Sequence, residues 1–190
     1  VGSGELRIAD VQIEVKPYKT SFSNTLTRTP TQSLIPLVGN STLDLSNVSF
    51  NSKSQMIFDG TNDYINLGQL NITNTPFTYE TVIKPNSITG GYSWILGKSG
   101  YNMGLTRYDN YITFHLYDSS NNLFSTQGGV LNTTSYFHII GVYTGVVLQL
   151  YINNTLIGTS GNITLPRNYN GNNTYVGTPN GSNLFFQGEI

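Results

Sequence analysis

The chain has 190 residues, a net charge of −1 and no cysteine, with only 10% charged residues against 37% hydrophobic ones. No basic run offers the footprint that nucleic acid needs, no disulfide or thiolate metal site can form, and no run of about 18 apolar residues exists to span a bilayer. Charged residues usually make up about 25% of a globular chain, so solubility here falls to Asn, Ser, Thr and Gly.

Residues 4–19 (GELRIADVQIEVKPYK) stand apart from everything after them by their charge. Val11, Ile13 and Val15 alternate with Gln12, Glu14 and Lys16, the pattern of a half-buried strand. Leu6 and Ile8 have the opposite parity, so a bulge near Ala9-Asp10 is needed to bring all five to one face. The strand has no local hairpin partner. Residues 1–19 are therefore expected to close the edge of a preceding domain or to pair with another chain by strand addition. Residues 20–50, rich in Ser, Thr, Asn and Pro, read as a linker that becomes a loop and short strand packed on the next domain.

From there on short apolar runs recur with Gly, Asn and Pro between them, at 56–58, 64–67, 77–84, 93–97, 101–106, 111–117, 139–143, 148–152, 163–165, 173–176 and 185–190. No helical periodicity interrupts them. The pattern predicts an all-β fold over residues 51–190, an antiparallel two-sheet β-sandwich or jelly roll. Its strongest element is a hairpin within 136–158. Residues 139–143 are apolar on both faces and are expected to lie centrally, covered on both sides. Leu148, Leu150 and Ile152 then alternate with Val147, Gln149 and Tyr151. Asn153-Asn154 suits a tight reversal, because asparagine tolerates positive φ.

Five stretches in this order resemble laminin-G-like, concanavalin A-like lectin jelly rolls: FDGTNDYINLG (58–68), PFTYETVIKP (76–85), WILGKSGYNMGL (94–105), YFHIIGVYTGVVLQLYINNTLIGT (136–159) and YVGTPNGSNLFFQGEI (175–190). The resemblance implies two curved sheets, a concave face, and sugar or protein binding without catalysis. The positions that hold calcium in laminin-G domains are here Asn102 and the uncharged loop 132–135. Members usually run on past the final Gly-Glu-Ile, so the chain reads as a piece of something longer. Residues 8–22 (IADVQIEVKPYKTSF) resemble the exit strand of jelly rolls that stand beside such domains in phage and viral tail or fibre proteins. That implies an extracellular or virion surface and a homo-oligomeric assembly.

The candidate chemistry is narrow. Concanavalin A-like glucanases carry a Glu-x-Asp-x-x-Glu strand whose same-face carboxylates stand about 5–5.5 Å apart. Glu5, Glu14, Glu80 and Glu189 are isolated, and alternation puts Glu80 on an outer face with Thr78, Val82 and Lys84. His115 and His138 are the only histidines, and no serine sits in a sharp elbow motif, so no nucleophilic triad is assembled. The chain is expected not to be an enzyme. Asp59 and Asp63 offer hard oxygens to calcium or simply make turns, and Asp109 and Asp118 read as turn residues. No other cofactor is implied.

Binding is the better prospect. In YITFHLY, Ile112, Phe114 and Leu116 take one face while Tyr111, Thr113, His115 and Tyr117 take the other. If 148–152 lies in the same sheet, Gln149 and Tyr151 join them in a patch of aromatic planes, amides and imidazole of the kind sugars bind. The plain alternative is a sheet face whose tyrosines serve β-propensity. Tyr101 and Tyr108 flank a loop rim as secondary ligand candidates, Trp94 reads as core, and His138 as a satisfied structural histidine. The sequence thus points to a non-enzymatic module that binds a glycan, a cell-surface polysaccharide or another surface. The alternative is an assembly subunit that uses its sheet faces and residues 4–19 for contacts between copies.

Overall fold

The computed structural model describes residues 47–52, 55–70, 75–164, 166, 168 and 171–190. The strand expected in 4–19 and the linker as far as residue 46 lie outside the described residues. Within them the strands are β1 (Ser49–Phe50), β2 (Met56–Asp59), β3 (Ile65–Asn66), β4 (Phe77–Pro85), β5 (Tyr92–Lys98), β6 (Met103–Tyr108), β7 (Tyr111–Tyr117), β8 (Leu123–Gly128), β9 (Phe137–Tyr143), β10 (Leu148–Ile152), β11 (Thr155–Thr159), β12 (Thr174–Val176) and β13 (Gln187–Glu189). One sheet has the order β3-β12-β5-β6-β7-β8 and the other β1-β2-β13-β4-β9-β10-β11, and their ladders are antiparallel. The fold is the antiparallel two-sheet jelly roll that the alternation predicts. Among the described residues no helix is long and apolar enough to cross a membrane.

The period-2 pattern decides what fills the space between the sheets. Ile112, Phe114 and Leu116 of β7 and Leu148, Leu150 and Ile152 of β10 are all buried in one cluster with Ile139 and Tyr143 of β9. Burying each such side chain contributes about 1.5–3 kcal/mol. The layers meet closely at Gly141, where an added Cβ would lie 2.9 Å from the Phe114 ring. Asn153 and Asn154 take φ of 48° and 64°, the left-handed pair a two-residue turn between β10 and β11 requires.

The structure also corrects several expectations. β9 is central, paired with β4 and β10, but its outward residues His138, Ile140 and Val142 are only half-buried rather than covered. β8 and β11 form where no strand is predicted, because both are polar edge strands with weak alternation. The strand expected at 163–165 gives way, among the described residues, to an isolated bridge between Asp118 and Pro166. Asp59 Oδ1 accepts from the amides of Thr61 (2.7 Å) and Asn62 (3.2 Å), and Asp63 Oδ2 from that of Asp59 (2.7 Å). These carboxylates shape a turn, and burial pushes the Asp63 carboxyl up. Among the described residues no cluster of three or more His, Cys, Asp or Glu could hold a metal.

Candidate functional site

Antiparallel pairing sets side chains in rows across the outer face of the six-stranded sheet. Tyr92, Tyr108 and Tyr111 stand opposite one another on β5, β6 and β7. The next row along holds Trp94, Thr106, Thr113 and Gln127, and the next Gly97, Gly104, His115 and Ser125. Tyr117 and Leu123 pair beyond them. Trp94 lies on the outer face with Tyr92, and a bulge between Trp94 and Leu96 breaks the alternation of β5, so that Ile95 and Leu96 both turn to the core and Gly97 returns to the outer face.

The glycines shape the site. An added Cβ would sit 2.4 Å from Trp94 Cζ3 at Gly97 and 2.3 Å from the same atom at Gly104. The indole therefore lies down in a slot that the two facing glycines leave open, and only 2% of Trp94 is exposed. Tyr101 packs edge-on against it at 5.8 Å and His115 at 5.2 Å between ring centroids. The result is a groove of about 270 Å³ with an aromatic floor. Tyr92, Tyr101, Tyr117, Leu123 and Leu184 wall it, and Thr106, Thr113, Ser125 and Gln127 supply hydroxyl and amide groups.

Two of these wall residues are held in an unusual backbone conformation. Tyr101 has φ 63° and Leu184 φ 49°, whereas the other non-glycine residues with positive φ among those described are all Asn or Asp. A bulky residue in the left-handed region costs about 1–3 kcal/mol and marks sites where position matters more than stability. Tyr101 is fixed by its hydroxyl, which donates to Asn183 Oδ1 at 2.9 Å, and the Leu184 carbonyl accepts from the Trp94 amide at 2.9 Å. Leu184 is already 36% exposed, so little burial is lost on replacing it. Leu184→Asn is expected to raise Tm by about 2–4 °C through relief of the strain while weakening any ligand that uses the apolar wall. Calorimetry decides this, and a lower Tm would mean that the wall's contacts outweigh the strain.

His115 is half-buried between the rings. Burial drives its pKa down to about 4, against a smaller opposing effect from its hydrogen bond to the Tyr101 backbone. Its imidazole is therefore neutral at pH 7. Two cations border the sheet but point off this face. Lys98, wholly buried, donates to the carbonyls of Leu70 and Asn172, the latter at 3.1 Å. Arg107 donates to Ser93 Oγ (3.0 Å) and to the Asp109 carbonyl (2.6 Å). Burial lowers the pKa of both.

The sequence-derived candidates divide. His115, Tyr117 and Tyr101 line the groove, and Tyr108 and Tyr111 stand in the tyrosine row at its end, with the Tyr92 and Tyr108 ring centroids 4.5 Å apart and the rings tilted by 51°. Gln149 and Tyr151 do not join them. They lie on β10 in the other sheet, where the Tyr151 hydroxyl donates to Gln149 Oε1 at 3.1 Å, so the single patch that required one sheet is not formed. Trp94 is buried as expected, yet as the groove floor and outside the inter-sheet cluster. His138 Nε2 lies 2.7 Å from Glu80 Oε1 on the opposite outer face. Sequence reasoning passed over Tyr92, Leu123, Ser125, Gln127 and Leu184. The available signal was Gly97 and Gly104 placed symmetrically about a tight reversal beside the sole tryptophan.

An antiparallel two-sheet jelly roll with an aromatic-floored groove on one sheet face is the architecture of the concanavalin A-like class. The chain belongs to the concanavalin A-like lectin/glucanases superfamily, whose laminin G-type family model matches residues 59–190. Among the described residues no carboxylate lines the groove, so the groove itself holds no acid and nucleophile pair of the kind glycoside hydrolysis uses. Among solved structures the chain is similar to the botulinum neurotoxin serotype G binding domain, with TM-score 0.62, 14% identity, and 78% of this chain against 42% of that one covered. It is also similar to the serotype D ligand binding domain in complex with N-acetylneuraminic acid, with TM-score 0.58, 13% identity and coverage of 79% and 42%. The binding domain of Paraclostridial mosquitocidal protein 1 has TM-score 0.60, 12% identity and coverage of 79% and 40%. The chain spans about two fifths of each, and at these identities the likeness is one of fold. The curated proteins compared contain no match.

Proposed function

We propose that the chain is a glycan-binding module of an extracellular or virion surface protein, with the groove of the six-stranded sheet as its sugar site. The observation that carries this is the groove itself: aromatic walls over a buried indole, with hydroxyl and amide groups within the same face. A pyranose presents an apolar face to such rings and hydroxyls to such polar tips. Support also comes from the serotype D neighbour, a ligand binding domain in complex with a sugar acid. The surface placement rests on the resemblance of residues 8–22 to phage and viral tail jelly rolls.

The sole tryptophan makes the test direct. Titration with a binding glycan should shift or quench Trp94 emission. Tyr101→Ala should weaken binding about tenfold, as expected when a stacking contact of about 1.5 kcal/mol is removed. Tyr151→Ala, on the opposite sheet, should leave affinity unchanged. Failure of a broad glycan array to yield any ligand, or full affinity in Tyr101→Ala, would overturn the proposal.

A further inference from the structure

We infer that the ligand is an uncharged, linear oligosaccharide lying along β7, with one part in the groove and another across the tyrosine row. This rests on the glycan-binding reading and goes beyond it in naming charge class and length. The first observation is how charge is distributed. Among the described strand residues, the outer face of the six-stranded sheet presents Asn66, Tyr175, Tyr92, Trp94, Tyr108 and the groove side chains, with no Asp, Glu, Lys or Arg. The outer face of the other sheet carries Glu80, Lys84, His138 and Glu189. A carboxylated sugar in the groove would lose water with no cation among these side chains to meet its charge. Threonine and serine hydroxyls and the Gln127 amide can each donate and accept, which matches a neutral polyol whose hydroxyls do the same.

The second observation is extent. Tyr92, Tyr108 and Tyr111 are 55%, 44% and 46% exposed, in one row two residues along β7 from the row of Trp94 and Thr113. From Tyr111 to Tyr117 the outward side chains of β7 cover about 20 Å at the usual strand rise, longer than one sugar ring. A groove holding a single ring would leave this exposed aromatic row without a role, whereas a chain of rings continues onto it.

The test is a titration, followed by Trp94 emission and calorimetry, with two probe sets. Neutral β- and α-linked glucose, xylose and N-acetylglucosamine oligomers of increasing length form one set. Sialyllactose, oligogalacturonate and hyaluronan oligomers form the other. Affinity should rise with length for at least one neutral series, by tenfold or more over the monosaccharide, and should change little with salt. Tyr111→Ala should reduce binding of the long oligomer by about fivefold to tenfold yet leave the shortest binding member unaffected. Tighter binding of an acidic series, weakened by salt, would overturn the charge class while leaving the sugar site standing. Affinity independent of length and of Tyr111 would overturn the extended site alone. Absence of binding to every saccharide would overturn the glycan reading and this inference together.

Discussion

Replacing Gly104 with alanine is expected to drive the Trp94 indole out of its slot and to destabilise the protein by about 3 kcal/mol. The new Cβ would stand 2.3 Å from Trp94 Cζ3 and 2.8 Å from the Leu96 carbonyl oxygen. Neither neighbour can retreat cheaply, because one is a large ring with 2% exposure and the other is backbone in the β5 ladder. Overpacking alone costs about 1–3 kcal/mol, and exposing the indole adds part of the 3–5 kcal/mol that a tryptophan truncation loses. In a domain of this size that corresponds to a fall in Tm of about 6–12 °C. Trp94 emission should move to longer wavelength, and glycan binding should be lost with the groove floor. Gly161→Ala is the control, since no atom lies within 4 Å of the added Cβ and its effect should stay within about 0.5 kcal/mol. Combining Gly104→Ala with Trp94→Ala should recover part of the cost, a coupling that a double-mutant cycle measures. Unchanged emission and Tm in Gly104→Ala would mean the slot does not exist.

That slot also shows where sequence reasoning reaches its end. Alternation identifies which side chains of a strand face a core, and it does so correctly for Ile112, Phe114 and Leu116 and for Leu148, Leu150 and Ile152. It is silent on which core-facing strands share a sheet. Tyr111 and Tyr151 are both outward, but the jelly-roll order puts β7 and β10 in different sheets, so half of the expected patch faces away from the rest. Sheet partnership depends on contacts distant in sequence, which no local period records. Trp94 is harder still. Its flanking Ser93, Ile95 and Leu96 suggest a core strand; alternation with Tyr92 sets the indole outward, but the bulge after it turns both Ile95 and Leu96 inward and hides that parity. The edge strand β8 escapes for the opposite reason: Leu123, Ser125 and Gln127 point to the groove, so the pattern is too polar to read as half-buried. The residues least legible in the sequence are thus those the groove recruits, consistent with a site whose needs override local pattern.

Lowering the pH from about 6.5 to about 4 is expected to cost the fold about 3 kcal/mol through His115 alone. The folded pKa is about 4 against about 6.5 in an unfolded chain. Above pH 6.5 the imidazole is neutral in both states and the contribution is complete. Between the two values the unfolded chain takes up the proton and the folded one does not, so stability falls as pH falls, at up to about 1.4 kcal/mol per pH unit. Below pH 4 both states are protonated and the loss levels off. Carboxylates titrate near the lower end of this window, so the measurement is the difference between the wild type and His115→Gln, each unfolded in urea across the range. That difference should slope only between about pH 6.5 and 4. The physical cause predicts a second, separable result. Because the folded imidazole stays neutral until near pH 4, affinity for a neutral oligosaccharide should be flat over the same interval in which stability declines. An NMR titration placing the His115 midpoint near 6.5 in the native protein would remove both expectations, since the ring would then be solvated rather than enclosed by Trp94 and Tyr101.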